Sequence, residues 1–415
     1  MNRFGALSSE QLVRACLSRI AKRDGDVQAW VHVDAEAAIA QARRTDRDGL
    51  CGPLAGIPVG LKDVFLTKDF PTQFNSPIYH GLQPGLDAAA VALLRNAGAI
   101  LLGKTDTVEF AATGRKARTR NPHDFDRTPG GSSSGSAAAV ADFHVPIALG
   151  TQTGGSVIRP ASFCGAWAMK PSWNSVSNEG ARRYAASLDT VGWFARSSDD
   201  LALIYEVLTG DSVPTKAKPG PLKFGCLKTP YWDRAESATR QAFESLRAEL
   251  ATHGHEVVDV ELSRDFGDLA ALHLRIMRGE GRVAFLPEYR MSRDLLDPSI
   301  REQVENVDGI TPAQLIEAQD AAAAARPRFD AFARAFDAII APSTVGVAPL
   351  RLGNTGDLIF NGFWTMLHVP CINAPFIDHE TRLPVGLTLL SARGADVDLL
   401  AASRVVARLI ETPPS

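Results

Sequence analysis

Two glycine-framed serines constrain this chain more than any other feature, and 24 residues separate them. The first is Ser132, in Gly130-Gly131-Ser132-Ser133-Ser134-Gly135-Ser136; the second is Ser156, in Gly154-Gly155-Ser156. Glycines at such places suit backbone that tolerates no side chain or needs unusual dihedrals. A serine just after them is open to close approach by a substrate carbonyl. Upstream, Lys62 lies in Gly-Ile-Pro-Val-Gly-Leu-Lys-Asp, an apolar run. A lysine serves a serine as base only when burial and neighbours keep it neutral. Together these residues supply a serine hydrolase that needs no histidine.

The bland alternatives fit less well. Gly130 to Gly135 matches G-x-x-x-x-G, but Ser136-Ala137 follows where a phosphate loop needs Lys-Ser/Thr. A flexible Gly/Ser linker would not be flanked by ordered, apolar sequence on both sides. Nine histidines are present, at 32, 80, 123, 144, 253, 255, 273, 368 and 379. A Ser-His-Asp hydrolase usually carries a G-x-S-x-G elbow, and Gly154-Gly155-Ser156-Val157-Ile158 breaks it at the last position. His253-Gly-His255 has no acidic partner at metal-binding spacing, so no metal site is expected. Cys164 lacks an identifiable histidine partner and reads as a small core residue.

Composition bounds the rest. Of 415 residues, 45% are hydrophobic and 22% charged, ordinary for a soluble globular protein with an ample core. That length allows two or three domains, or one large α/β domain with insertions. A net charge of −3 offers no general attraction to nucleic acid or acidic membrane. Five scattered cysteines without a Cys-x-x-Cys pair suggest a reducing compartment. No secretion leader is legible, and no apolar run approaches the roughly 18 residues that span a bilayer. The expectation is a cytoplasmic protein without a membrane partner.

Along the chain, residues 8–22 predict a helix with Ser8 and Gln11 at capping-box spacing. Residues 56–66 predict a strand ending near Lys62, 87–97 a helix and 99–102 a buried strand. Thr105-Asp106-Thr107-Val108-Glu109 suggests a capped helix start, and 136–141 a small-residue helix. This alternation favours α/β architecture. Residues 216–221 read as a linker, followed by helical segments at 235–252 and 312–336 around a short strand at 224–226. Strands return at 338–342 and 387–390. The expectation is a single large α/β domain over 1–415, a mixed sheet sandwiched between helices. Its core would lie at about 55–200 and a more variable helical part at about 210–330, partly covering one face.

These residues resemble the amidase signature family. The likeness runs through Lys62-Asp63, Gly103-Lys104-Thr105, Glu109-Phe110, Asn121-Pro122 and both serine loops. It continues through Lys170-Pro171-Ser172, Ser187-Leu188-Asp189-Thr190-Val191-Gly192 and Ala195-Arg196 to Pro384-Val385-Gly386-Leu387. The resemblance implies a Ser-cisSer-Lys triad: Ser156 as nucleophile, Ser132 as relay after a cis peptide bond, and Lys62 as base. Such a base needs a pKa brought from about 10.4 to near 7, which burial favours and Asp63, unless turned away, would oppose. The backbone N–H groups of Thr153, Gly154, Gly155 and Ser156 would form the oxyanion hole.

Two departures narrow the expectation. Gln152 replaces the family's usual aspartate, and Ile158 replaces the usual arginine, with Arg159 one residue further on. The run 150–160 then looks like the malonamidase branch, in which the equivalent of Arg159 binds a substrate carboxylate. A structural ion pair at a helix start is the alternative role for this arginine. The resemblance implies a cofactor-independent amidohydrolase for a small, malonamate-like amide, without a nucleic-acid partner; a homodimer is a family-level expectation. The rivals are an amidotransferase A subunit that works with tRNA, an amidase for neutral or aryl amides, and a catalytically silent binding protein.

Overall fold

Alternate residues of the inner strands feed two different cores. The computed structural model describes residues 7–49, 52–215, 220–263, 266, 268–350 and 353–411. Its strands are β1 (Trp30–Val33), β2 (Pro58–Lys62), β3 (Ile100–Thr105), β4 (Ile147–Gln152), β5 (Trp167–Lys170) and β6 (Thr190–Ala195). They continue with β7 (Lys223–Leu227), β8 (Glu256–Val260), β9 (Ala338–Pro342), β10 (Cys371–Ile377) and β11 (Pro384–Leu390). Ile147 and Leu149 of β4, Met169 of β5 and Trp193 of β6 join the larger core. Ala148, Ala168 and Phe194, the residues between, join the smaller core on the opposite face. Side chains of a strand alternate between faces, so a strand buried on both sides reads as a continuous apolar run.

All the strands form one mixed sheet, ordered β1-β3-β2-β4-β6-β5-β10-β11-β9-β7-β8. β2 runs parallel to both β3 and β4, and β7 parallel to β8 and β9; the remaining pairs are antiparallel. The fold is the single large α/β domain expected, with helices on both faces. Helix Ser9–Val27 carries the Ser8–Gln11 capping box and runs past the expected end. Helices Ala89–Asn96, Ser134–Ala141, Ser237–Thr252 and Pro312–Ala333 also lie where the sequence placed them.

Three expectations need comment. Thr105 to Glu109 does not start a helix; only a short 3₁₀ turn follows, Glu109–Ala111, with Phe110 at φ 53°. The cap-like carboxylate of Asp106 accepts from Thr107 N, and also from Arg118 N (2.6 Å) and Thr119 N across the loop. Val108 N and Thr107 Oγ1 both bind Ser132 O, so the segment is tied to the first serine loop. The part from 210 onward does more than cover a face, because β7 and β8 extend the sheet edge. Of the 216–221 linker, residues 216–219 lie outside the described residues, as does Cys51.

Candidate active site

Lys62 is the last residue of β2, and Thr151 and Gln152 end the neighbouring parallel strand β4. Both strands point their carboxyl ends at one place, where open α/β sheets bind ligands. Ser132 enters from the loop before helix Ser134–Ala141, and Ser156 from the loop after β4. Gly130 turns the first loop at φ 80°, a left-handed conformation suited to glycine, and the Gly131–Ser132 peptide is cis, as the resemblance implies.

The amine of Lys62 lies 2.8 Å from Ser132 Oγ and 2.8 Å from Thr151 Oγ1. Exposure rises outward through the serines, from 0% at Lys62 to 2% at Ser132 and 8% at Ser156. Burial drives the Lys62 pKa well below its ordinary value, opposed by the charge of Asp189. Asp63, the neighbour suspected of opposing it, instead pairs with Lys104, 3.2 Å away. Asp189 is itself buried and pushed up to about 6 by that burial. It accepts from Thr153 Oγ1 and from the amides of Tyr184 (2.6 Å) and Ala185 (3.0 Å).

The second serine loop is braced from behind. Gln152 Oε1 accepts from Val157 N (2.8 Å) and Ile158 N (3.0 Å), holding the start of helix Ile158–Cys164. Arg159 N donates to Gly155 O at 2.9 Å, and Ser133 N to Ser156 O at 3.4 Å. Among the described residues, no backbone acceptor takes the amides of Gly154, Gly155 or Ser156. The loop therefore presents unengaged N–H groups beside a buried amine and two hydroxyls. This arrangement can polarise a carbonyl and move a proton.

Arg159 is 6% exposed, and its guanidinium donates to Gly356 O (2.7 Å) and Gly131 O (2.8 Å). Its Nε has no partner, and burial lowers its pKa to about 10. Among the described residues its guanidinium meets backbone carbonyls and makes no ion pair, so the expected alternative of a structural ion pair is not seen. Cys164 is a core residue whose thiol donates to Pro129 O, and burial pushes its pKa up. His253 Nδ1 meets Glu249 O within its own helix end, and His255 Nδ1 accepts from Leu222 N. Among the described residues, no His, Cys, Asp and Glu group is arranged to hold a metal. No helix among them is long and apolar enough to cross a membrane. Sequence reasoning missed Thr151 and the position of Asp189, although both lie inside quoted motifs. Which hydroxyl meets Lys62 depends on the β2–β4 pairing, which no local motif encodes.

The fold and this polar cluster define an α/β enzyme that acts on amide C–N bonds. The chain belongs to the amidase signature family: the Amidase family model matches residues 11–400. Among curated relatives, the A subunit of a glutamyl-tRNA(Gln) amidotransferase from Anaeromyxobacter dehalogenans (strain 2CP-C) is 32% identical, over 99% of this chain and 94% of that one. A protein of the same name from Thermobifida fusca (strain YX) is 39% identical over 65% of this chain; the match spans only 59% of that relative's length. A crystal structure described as an amidase superposes with a TM-score of 0.86 at 31% identity, covering 96% of each chain.

Proposed function

We propose that the protein hydrolyses a small, carboxylate-bearing amide to the acid and ammonia through Ser156, Ser132 and Lys62. The 2.8 Å approach of the buried Lys62 amine to Ser132 Oγ is the observation that carries this reading. Neutral Lys62 accepts the Ser132 proton as Ser132 accepts that of Ser156. The Ser156 oxygen bonds to the amide carbon, and the carbonyl electron pair moves onto oxygen, facing the N–H groups of the 153–156 loop. Collapse breaks the C–N bond, and the departing nitrogen takes the proton back from Lys62 through Ser132. Water then releases the acyl group from Ser156 by the same relay. No cofactor enters these steps, and the setting is the cytoplasm.

The carboxylate preference rests on Arg159, a buried cation three residues past the nucleophile with an unpartnered Nε. A guanidinium suits a carboxylate through paired charge-assisted hydrogen bonds. The malonamidase-like branch is thus the finer assignment. Ammonia release from malonamate, neutral aliphatic amides and aryl amides tests it, with Arg159→Ala compared alongside. The variant should lose about 10- to 100-fold on malonamate and far less on neutral amides. Equal losses on both would remove the clamp, while selective turnover of neutral or aryl amides by the wild type would favour that rival.

The near-full-length likeness to amidotransferase A subunits favours a second reading, in which the chain works in a complex that uses tRNA. The first reading carries no nucleic-acid partner; the second requires one. Ammonia release by the purified chain, run as a homodimer on sizing, supports the first. Activity that appears only with added subunits and tRNA supports the second.

A further inference from the structure

The carbonyls behind the nucleophile loop are held by two side chains from distant parts of the sequence. His273, in helix Leu269–Ala284, places Nε2 3.0 Å from Thr153 O. Thr365, in helix Gly362–Met366, donates Oγ1–H to Gly154 O at 2.7 Å. Both side chains are fully buried.

The proton positions follow from chemistry. Thr153 O can only accept, so His273 Nε2 carries the hydrogen and Nδ1 is a bare acceptor, buried without a partner. Burial keeps the ring neutral, with its pKa lowered to about 4. Gln152 Oε1 is occupied by Val157 N and Ile158 N, so the side chain's Nε2–H₂ must face Thr365 Oγ1, at 3.0 Å. Having accepted that bond, the Thr365 hydroxyl directs its own hydrogen to Gly154 O. An aspartate at position 152 would have no N–H to give.

In a trans peptide unit the C=O and N–H point in opposite directions. Pinning Thr153 O turns Gly154 N–H away from His273, and pinning Gly154 O turns Gly155 N–H away from Thr365. Gly362 lets this happen, because a Cβ there would lie 2.5 Å from His273 Nδ1. We propose that His273 and Thr365 are positioning residues that aim the Gly154 and Gly155 N–H groups at the substrate oxygen, with Gln152 orienting the Thr365 hydroxyl. This rests on Ser156 being the nucleophile.

The test uses diethyl p-nitrophenyl phosphate, whose phosphoryl oxygen requires the same N–H groups and whose p-nitrophenol release reports one turnover on Ser156. Removing an oxyanion donor typically costs about 10²–10³-fold, so loss of its aim through Thr365→Val should slow labelling roughly 10- to 100-fold. Thr365→Ser, which keeps the hydroxyl, should restore most of the rate. His273→Phe should act like Thr365→Val, and His273→Gln, which keeps an N–H donor, should recover part of the loss. The His273 pair decides the matter if Thr365→Val does not fold. Labelling rates within about 2-fold of wild type in folded Thr365→Val or His273→Phe would overturn the proposal; a structural role would lower the unfolding midpoint and leave the rate alone. Peptide mapping separates this from failure of the underlying reading. If wild-type Ser156 takes no label, both fall; if it does and the variants label normally, only the positioning role falls.

Discussion

Asp63 is ion-paired with Lys104 across 3.2 Å, and not with Lys62, its neighbour in the chain. Lys62 ends β2 with its amine between Ser132 and Thr151, while Asp63, just past the strand end where the chain turns, reaches Lys104 instead. Lys104 also reaches Phe65 O (2.6 Å) and Thr72 Oγ1 (2.7 Å). Burial sets the Lys104 pKa at about 8 and raises that of Asp63 to about 6. The pair sits beside the strand end that delivers Lys62, since Lys104 of β3 is in register with Leu61 of β2.

Breaking this pair should destabilise the end of β2. Asp63→Asn leaves Lys104 buried without a counter-charge, and losing one partner of a buried pair costs about 3 kcal/mol or more. Urea unfolding of Asp63→Asn should show that loss, and adding Lys104→Met should recover part of it. A midpoint matching wild type in the single variant would mean the pair contributes nothing.

Lys62 predicts a pH dependence with a definite sign. Its folded pKa lies well below the ordinary 10.5 because of burial. Between those two values the unfolded chain holds a proton that the native protein does not, so stability rises with pH. The slope from one group is at most about 1.4 kcal/mol per pH unit. Lys62→Met lacks it, so the stability of wild type relative to this variant should climb between pH 7.5 and 9.5. A constant difference across that range would show that the amine is not held neutral. The variant should also release no ammonia.

The two glycines before Ser156 should respond differently to the same methyl group. A Cβ on Gly154 would meet His273 Cε1 at 3.5 Å, an ordinary contact, whereas one on Gly155 would lie 2.5 Å from Asn361 Oδ1 and 2.9 Å from Asn361 Cβ. Gly155→Ala should therefore cost about 1–3 kcal/mol through overpacking, and Gly154→Ala much less. Equal thermal midpoints for the two variants would contradict this packing.

What was legible in the sequence follows from how local each signal is. The apolar runs of β2, β3 and β9 and the capping box at Ser8 depend on neighbours within one element, and their positions follow directly. The serine loops announce themselves through glycine. Asp106 has the local pattern of a helix cap, whereas its fourfold use by residues 107, 118 and 119 is a loop property, invisible to a local pattern. β8, with its half-exposed residues, lacks the apolar run that marked the inner strands. Thr151, Asp189, His273 and Thr365 reach the site only through strand pairing and helix packing across distances of up to 213 residues in the chain. Their roles depend on the assembled fold.

Asp189 offers the most direct handle on the proposed base, Lys62. Its carboxylate raises the Lys62 pKa against the stronger effect of burial, so removing its charge should lower that pKa further. In the proposed relay Lys62 acts only when neutral, which places activity above its folded pKa and extinguishes it below. Asp189→Asn should therefore move the acid limb of the kcat profile to lower pH. The substitution is conservative in its bonds: the asparagine oxygen can still accept from Tyr184 N and Ala185 N, and its amide NH₂ can donate to Thr153 Oγ1, reversing that bond. Ammonia release measured from pH 5 to 9 gives the answer. A limb moved to higher pH, or left in place, would mean that a group other than Lys62 controls it.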